Sequence, residues 1–343
     1  MKVVPGAAGF VAMTTGRPAD AALALAIGNF DGVHLGHAAL LAEARARAAR
    51  RGGQSAVLTF TPHPARLFAP ERAPPLIMSL ERRLELCAEA GIDVAIVEPF
   101  NRAFAAIEAP AFVRDVLARD LGARDAVVGY DFSFGRGRAG NAAMLGTLGT
   151  AAGIDVVVIP PIAIDGVPCS SSRIRERVAA GDTSAAAKLL GRPFELEGAV
   201  VRGAGRGRGL GFPTANVAAE GELRPALGIY AARARVLDGP RAGTVRAAAL
   251  SVGTNPQFTK SEPWEGSEPP ATGEGRQSPP SPTRFGEGVT VEAYLLDFEG
   301  DLYDRRLRVE VGERLRDERR FESIDALIAQ IREDVAQVRR LLS

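Results

Sequence analysis

The first half of the chain alternates short apolar runs with segments of helix-forming composition, and this alternation strongly constrains its fold. Each segment of helical composition is followed by a glycine suited to end a helix. The predicted strands are 22–27, 56–60, 94–97, 126–129 and 156–159, and the predicted helices are 38–51, 80–90, 111–121 and 142–152. Strands that alternate with helices form a parallel sheet with helices on both faces. We therefore predict an α/β, Rossmann-like domain.

The second half changes character near residue 191. Its apolar segments are rich in β-branched residues, and long helices do not separate most of them: 195–202, 229–237, 245–252, 289–298 and 307–311. This pattern is typical of an antiparallel sheet or a small β-barrel. Residues 323–342 carry apolar side chains at helical spacing and are predicted to form a terminal amphipathic helix. A chain of 343 residues suggests about two domains, which we place at 1–185 and 186–343.

Residues 260–288 interrupt the second domain. The stretch is rich in proline, glycine and serine and contains no valine, isoleucine or leucine. It cannot bury enough apolar surface to offset the entropy lost on ordering it. We expect a flexible surface insertion.

Charge and composition argue against several classes of protein. With 42 basic and 41 acidic residues and no basic half, the chain is not expected to bind nucleic acid. It has no apolar run long enough to span a membrane and no signal peptide, and its two cysteines form no disulfide framework. We expect a cytoplasmic protein without a membrane partner. Oligomerisation is possible, but the sequence does not specify an oligomeric state.

Phosphate binding, if it occurs, must use groups other than a Walker lysine. The chain has three lysines, and none follows a glycine. Arginine, histidine, backbone amides or a metal must then hold the phosphates. All three histidines, His34, His37 and His63, lie within one 30-residue stretch.

The densest cluster of candidate site residues is the segment 27–37, which reads IGNFDGVHLGH. A strand ends there, a glycine-rich turn follows and a helix begins, so an anion would meet free N–H groups. His34 and His37 are three residues apart and can face one phosphate. The alternatives are two surface histidines or half of a zinc site, although nearby ligands to complete such a site are not obvious. The candidate ATP-binding residues of the turn are Gly28, Phe30, Asp31, Gly32 and Gly36.

A second candidate segment, 170–175, reads SSSRIR and opens another predicted helix. Ser171, Ser172 and Arg173 can form an anion clamp there. A helix-capping run with a solvated basic face explains the same residues equally well.

Together the two segments resemble the nucleotidyltransferase superfamily, whose HxGH turn and later loop flank the ATP triphosphate. TFTPHP at 59–64 and VGYDFSFG at 128–135 narrow the resemblance to the FAD synthetase module of prokaryotic bifunctional flavin enzymes. Motifs of the second half resemble riboflavin kinase: GLGFPTAN at 209–216, GIYA at 228–231, GTNP at 253–256 and VEAYLLD at 291–297. The ordered match runs from about residue 22 to the C-terminus. The chain therefore resembles the bifunctional riboflavin kinase/FAD synthetase family.

For the first domain, the resemblance implies transfer of AMP from ATP to FMN, which gives FAD and pyrophosphate. His34 and His37 would stabilise the phosphates, while Ser171, Ser172 and Arg173 would hold the departing pyrophosphate. Residues expected on the flavin side are Asp131, His63 and Phe134, the last by stacking on the ring system.

For the second domain, the resemblance implies phosphorylation of riboflavin by ATP. Thr214 and Asn216 offer hard oxygen ligands for Mg²⁺, and Glu292 would be the base that takes the ribityl hydroxyl proton. A glycine-rich loop that includes Gly209 and Gly211, together with Phe212, would bind ATP. From the residues alone, two alternatives stay open: the glycine-rich loop could be a mobile linker, and Glu292 could be a solvated residue on a strand face.

Two further hypotheses follow from the insertion and from the resemblance. The insertion could impair the kinase domain and leave only FAD synthesis. The chain could also be a flavin-binding regulator without turnover, although the retained catalytic residues argue against this.

Overall fold

The structure is a computed structural model, which describes residues 1–14, 22–203, 206–254 and 289–342. The predicted insertion at 260–288 lies outside the described residues. The chain divides into two compact units: Met1–Arg175 with Lys188–Arg192, and Glu176–Ala187 with Pro193–Ser343. The chain thus passes between the units more than once, where the sequence predicted a single boundary after residue 185.

The first unit is built on a six-stranded, all-parallel sheet, which confirms the predicted α/β class. Its strands are Lys2–Pro5 (β1), Leu23–Ile27 (β2), Gln54–Thr61 (β3), Val94–Pro99 (β4), Ala123–Gly129 (β5) and Asp155–Ile159 (β6). They lie in the order β1-β4-β3-β2-β5-β6. The central strand β2 is apolar throughout because both faces of the sheet are covered, and every one of its residues is buried.

Helices connect these strands. The longer helices are Gly6–Thr14 (α1), Leu35–Arg50 (α2), Leu80–Glu89 (α3), Phe112–Asp120 (α4), Ala142–Ala151 (α5), Ser171–Ala179 (α6) and Thr183–Leu190 (α7). Helix α2 packs on the sheet through Leu40, Leu41, Ala44 and Ala48. Shorter helical segments are Pro64–Phe68, Pro70–Arg72, Arg102–Ala105, Ala109–Ala111 and Arg136–Arg138.

The sequence did not predict the first strand and helix. Strand β1 pairs at the sheet edge, with Val4 opposite Ile96. Helix α1 follows at once, and the Glu98 carboxylate accepts a hydrogen bond from the Ala7 N–H at 2.7 Å. A four-residue strand and a helix without a polar face carry little periodic signal, so only tertiary pairing reveals them.

The second unit contains a closed six-stranded barrel, as predicted. Its strands are Phe194–Val201 (β7), Ala215–Ala219 (β8), Gly228–Val236 (β9), Val245–Thr254 (β10), Val289–Leu295 (β11) and Arg306–Arg316 (β12). They close antiparallel in the order β7-β8-β11-β10-β9-β12. Strand β8 was not predicted, because its five residues are too few to show a clear alternation and the first two belong to the GLGFPTAN motif. A short helix, Arg206–Gly209, precedes it.

Alternation along the barrel strands separates an inner from an outer face. Val291, Ala293 and Leu295 of β11 are buried, while Glu292 and Tyr294 between them are partly exposed. The predicted terminal helix, Ile324–Leu342 (α8), packs on the outside against β9 and β10. Among the described helices, none is both long and apolar enough to cross a membrane.

Candidate active sites

The turn that carries the two histidines lies at the switch point of the parallel sheet. Strand β2 pairs with β3 on one side and with β5 on the other, so the strand order reverses there. Open α/β sheets bind ligands outside the carboxyl ends of their strands at such a point. Ile27 is the last residue of β2, and the glycine-rich turn begins with Gly28.

Side chains from distant parts of the first unit hold the carbonyl oxygens of this turn. Thr59 Oγ1 donates to the Asn29 oxygen at 3.1 Å, and Ser171 Oγ donates to the Asp31 oxygen at 2.8 Å. Arg192 donates to the oxygens of Gly32 at 2.7 Å and Val33 at 3.1 Å. The turn's conformation is therefore fixed by partners outside it.

His34 and His37 lie together at the start of α2. His34 is the N-cap, and its Nδ1 accepts the His37 backbone N–H at 3.3 Å. The two rings stack with centroids 3.7 Å apart. Since His34 Nδ1 is an acceptor, the ring proton is on Nε2, where it can be donated to a ligand. Among the described residues, no group hydrogen-bonds the buried Nδ1 of His37.

Both histidines are neutral near pH 7. Burial, and then the charge of Arg192, lowers the pKa of His34 to about 4. Burial also holds the pKa of His37 well below its usual range, with smaller contributions from His34, Arg83 and Arg192. The pair therefore offers hydrogen-bond donors, while nearby arginines supply the fixed positive charge.

Two residues predicted to bind ATP are fully buried. The Asp31 carboxylate is 0% exposed and accepts bonds from Arg175 Nη2 at 2.5 Å and from the Ile77 N–H at 3.0 Å. Phe30 is also 0% exposed, and its ring centroid lies 5.1 Å from that of His37. Through these contacts both side chains support the turn from within the protein. That these two residues bind ATP stays a prediction.

Three arginines around the turn were not among the predicted site residues: Arg83, Arg192 and Arg175, although Arg175 ends the candidate segment 170–175. Arg83 is 3% exposed, and its Nη2 lies 3.9 Å from the Asp31 carboxylate. Their pairings span long stretches of sequence, 144 residues for Arg175 with Asp31. The scarcity of lysine was the one signal that arginines carry the positive charge here.

The second predicted segment opens α6. Ser171 uses its hydroxyl on the turn, as described above, whereas Ser172 and Arg173 are exposed. The Arg173 N–H donates to Ser170 Oγ at 3.3 Å. The structure thus brings one serine into the histidine turn and leaves the next two side chains open to solvent.

On the expected flavin side, the predicted residues differ in exposure. Asp131 is exposed, at the carboxyl end of β5. His63 caps Pro64–Phe68 by accepting the Ala65 N–H at 3.2 Å, and burial lowers its pKa. Phe134 is only 7% exposed and packs against Phe112 and Phe132, with centroids 5.5 Å away in both pairs. Its predicted stacking on a ligand is revised to core packing.

Two other aromatic side chains, which follow strands β3 and β5, are exposed. Phe68 is 68% exposed and Tyr130 is 53% exposed. Tyr130 follows β5 directly, and Phe68 ends the short helix after β3. Neither was among the predicted flavin-side residues, since the sequence does not show which aromatic side chains are exposed.

In the second unit, the structure brings together the three predicted catalytic and metal-binding residues. Thr214 Oγ1 donates to Glu292 Oε2 at 3.2 Å. Asn216 on β8 lies directly opposite Glu292 on β11, and Ser251 on β10 lies opposite it on the other side. These side chains share the outer face of the barrel.

Glycines let the backbone approach this group closely. A Cβ at Gly203 would overlap the Asn216 amide, and one at Gly207 would overlap the Phe212 carbonyl oxygen. Gly211 has a φ of +85°, which favours glycine. Beside them the Phe212 ring packs edge-on against Tyr294, with centroids 5.4 Å apart. Gly209 ends the short helix before the loop.

Comparisons with known proteins agree with this division. A family model described as FAD synthetase matches residues 17–173, and one described as riboflavin kinase matches residues 190–342. The bifunctional riboflavin kinase/FMN adenylyltransferase of Pseudomonas fluorescens is 36% identical over 325 residues, 95% of this chain and 94% of that protein. The protein of the same name from Escherichia coli K12 is 35% identical, with 90% of each chain covered.

One solved structure is similar along nearly the whole chain. It is a crystal structure from Streptococcus pneumoniae described as a macrolide-efflux protein, with a TM-score of 0.74, 26% identity and coverage of 93% of this chain and 94% of that one. The similarity supports the fold. The activity in that description agrees with neither family model and is not carried over.

Proposed function

The chain belongs to the family of bifunctional riboflavin kinases/FMN adenylyltransferases, which make FMN from riboflavin and FAD from FMN, and we propose which of its residues carry each reaction. ATP is the co-substrate of both steps. The adenylylation is assigned to the histidine turn of the first unit, and the phosphorylation to the Thr214, Asn216 and Glu292 group of the second.

In adenylylation, a phosphate oxygen of FMN attacks the α-phosphorus of ATP. The bond from that phosphorus to the bridging oxygen breaks, and pyrophosphate leaves. His34 and His37 donate hydrogen bonds to the phosphoryl oxygens on which charge develops, and the free N–H groups at the start of α2 act with them. The observation that supports this is the stacked, neutral pair at the N-terminus of a helix. Ser172 and Arg173, exposed at the start of α6, hold the departing pyrophosphate.

In phosphorylation, Glu292 takes the proton of the ribityl 5′-hydroxyl. The resulting oxygen nucleophile attacks the γ-phosphorus of ATP, and ADP leaves. A base must lie within hydrogen-bond reach of that hydroxyl. Glu292 is partly exposed on the outer barrel face, and its 3.2 Å contact with Thr214 supports a role in the site. The ATP phosphates bind at the glycine-rich loop, beside Gly209, Gly211 and Phe212.

The residues present also fit a magnesium ion. Thr214 and Asn216 offer a hydroxyl and an amide oxygen, beside the Glu292 carboxylate, and hard oxygen donors suit Mg²⁺. Gly203 lets the backbone lie against the Asn216 amide, since a Cβ there would overlap that amide. Bound there with ATP, the ion would offset phosphate charge.

For the flavin of the adenylylation step, we place the ring system at the carboxyl ends of β3 and β5. Asp131 and His63 of the original expectation stay in this proposal. Phe68 and Tyr130 replace Phe134 as the aromatic surfaces, because they are exposed and Phe134 is packed in the core.

We also propose that the protein works in the cytoplasm. Both reactions consume ATP, and both Cys87 and Cys169 are free thiols.

The experiment is a time course with riboflavin and Mg-ATP, in which FMN and FAD are separated by chromatography. FMN should appear first and FAD afterwards. A chain that makes FAD only when FMN is supplied would have an impaired kinase unit, and one that makes neither would be a binding protein.

A further inference from the structure

A short segment of the chain returns to the first unit after the chain has entered the second. Residues Lys188–Arg192 pack with Met1–Arg175, although Glu176–Ala187 pack with the barrel. By sequence, the segment lies beyond the FAD synthetase match, which ends at residue 173. Arg192 lies inside the riboflavin kinase match, which begins at residue 190. Family assignment therefore associates Arg192 with the kinase.

The contacts of Arg192 are nevertheless with the histidine turn. Its Nη2 donates to the Gly32 oxygen at 2.7 Å, and its Nη1 donates to the Val33 oxygen at 3.1 Å and the Leu190 oxygen at 3.4 Å. The planar fork of a guanidinium is pre-organised to hold two consecutive carbonyl oxygens in this way. The residue that follows them is His34.

The turn needs such support because its backbone is strained. Gly32 has a φ of +92° and Val33 a φ of +37°. Positive φ is unfavourable for a β-branched residue and persists only when the surroundings impose it. Two hydrogen bonds from one rigid side chain, to the carbonyls of these same two residues, provide that restraint.

The segment Lys188–Arg192 also packs closely against the histidine turn. A Cβ at Gly191 would come within 2.5 Å of Leu35 Cδ2, so the backbone passes closely over the start of α2. A Cβ at Gly32 would meet Leu190 Cδ2 at 3.7 Å. Residues 190–192 therefore lie against the residues that precede His34 and against Leu35, which follows it.

We propose that Arg192 is a positioning residue of the adenylyl transfer, which fixes the turn so that His34 and His37 face the ATP phosphates. It acts through the turn and not by contact with a substrate. This role rests on the assignment of adenylylation to the histidine turn. It means that Arg192, although it lies inside the riboflavin kinase match, serves FMN adenylylation.

The test compares Arg192→Met with Lys188→Met in the full-length chain. Lys188 belongs to the same segment and carries the same charge, but it is exposed and pairs with the exposed Asp165. A misplaced catalytic group costs on the order of 10²-fold in rate. Arg192→Met should lower kcat of FMN adenylylation by about that factor with little change in KM, while Lys188→Met stays near normal.

Two internal controls separate positioning from general damage. Riboflavin phosphorylation by the same variant should be unchanged. Arg192→Lys should recover part of the adenylylation, since an ammonium keeps the charge and can donate hydrogen bonds but lacks the planar fork of a guanidinium. If Arg192→Met does not fold, Arg192→Lys takes its place in the test, with a smaller loss of kcat expected for adenylylation. Normal adenylylation by Arg192→Met, a rise in KM alone, or an equal loss of both activities would overturn the proposal. Failure of the native chain to make FAD would overturn the proposed function and this role with it.

Discussion

Gly36 lies between the two histidines, and its lack of a side chain leaves room for the His34 ring. A Cβ there would come within 3.0 Å of His34 Cε1 and 3.1 Å of Nδ1. The His34 ring cannot move away without losing its bond to the His37 N–H. The glycine of the HxGH turn is thus required by the cap that His34 forms.

We predict opposite effects of Gly36→Ala on helix propensity and on catalysis. Alanine improves helix propensity by about 1 kcal/mol, and a weakened cap costs about the same, so the free energy of unfolding should change little. FMN adenylylation should fall by roughly 10- to 10²-fold, because the ring is displaced. Gly146→Ala is the matched control, since a Cβ at that helical glycine meets open space. Equal adenylylation rates in the two variants would contradict this account.

A pH dependence of stability follows from the lowered pKa of His34, which is about 4. Between that value and the ordinary 6.5, the unfolded chain binds a proton that the folded chain does not. Stability should therefore fall as pH falls through this window. His34→Asn keeps an N-capping residue but does not titrate. We predict that the native Tm drops more than the variant's between pH 6.5 and 4.5, measured by circular dichroism; parallel curves would contradict the prediction.

The histidine pair, its glycine and its place at a helix start were predictable because they are close in sequence. The burial of Asp31 and the three arginines around the turn were not, since partners such as Arg192 and Gly32 are 160 residues apart. Phe134 was misjudged for a related reason: a motif gives residue type but not which way the side chain packs.

At the scale of elements, an ion pair with a buried carboxylate links helix α8 to the barrel, in addition to the buried side chains of Leu327 and Val338. Arg316, at the end of β12, donates through Nε and Nη2 to the Asp334 carboxylate at 2.9 and 2.7 Å. Asp334 is 4% exposed. The same helix has an exposed pair, Arg339 with Asp297, whose side chains are 53% and 66% exposed.

These two pairs give a matched prediction. Arg316→Met leaves a buried carboxylate without its counter-charge and should destabilise the second unit by about 3–5 kcal/mol. Arg339→Met removes an exposed pair, which solvent screens, and should change the free energy of unfolding far less. Urea unfolding measures both. Similar losses in the two variants would show that the buried pair does not anchor the helix.

The elements themselves were largely readable from the sequence. Buried parallel strands leave continuous apolar runs between helical segments, so β2 to β6 were predicted within a few residues. Strand β8 was missed because its alternation spans only Ala215 to Ala219, and β1 because an edge strand of four residues has no pattern of its own. Both are defined by their pairing partners.

At the scale of the whole molecule, the two groups of proposed site residues belong to two different compact units. The histidine turn belongs to the first unit, together with the arginines around it, and Glu292 belongs to the second. Each reaction should therefore be removable without the other. The return of residues 188–192 to the first unit is the exception to a simple division of the chain, and it explains why one boundary could not be predicted.

The most direct test mixes two single variants, His37→Ala and Glu292→Gln, with riboflavin and Mg-ATP. Loss of a charge-stabilising donor costs on the order of 10²–10³ in rate, and loss of a general base roughly 10²–10⁴. His37→Ala alone should stop at FMN, and Glu292→Gln alone should leave riboflavin unchanged but convert added FMN to FAD. The mixture should make FAD from riboflavin at a rate close to the native chain's. If either folded variant lost both reactions, or the mixture made no FAD, the assignment of the two reactions to two independent sites would be wrong.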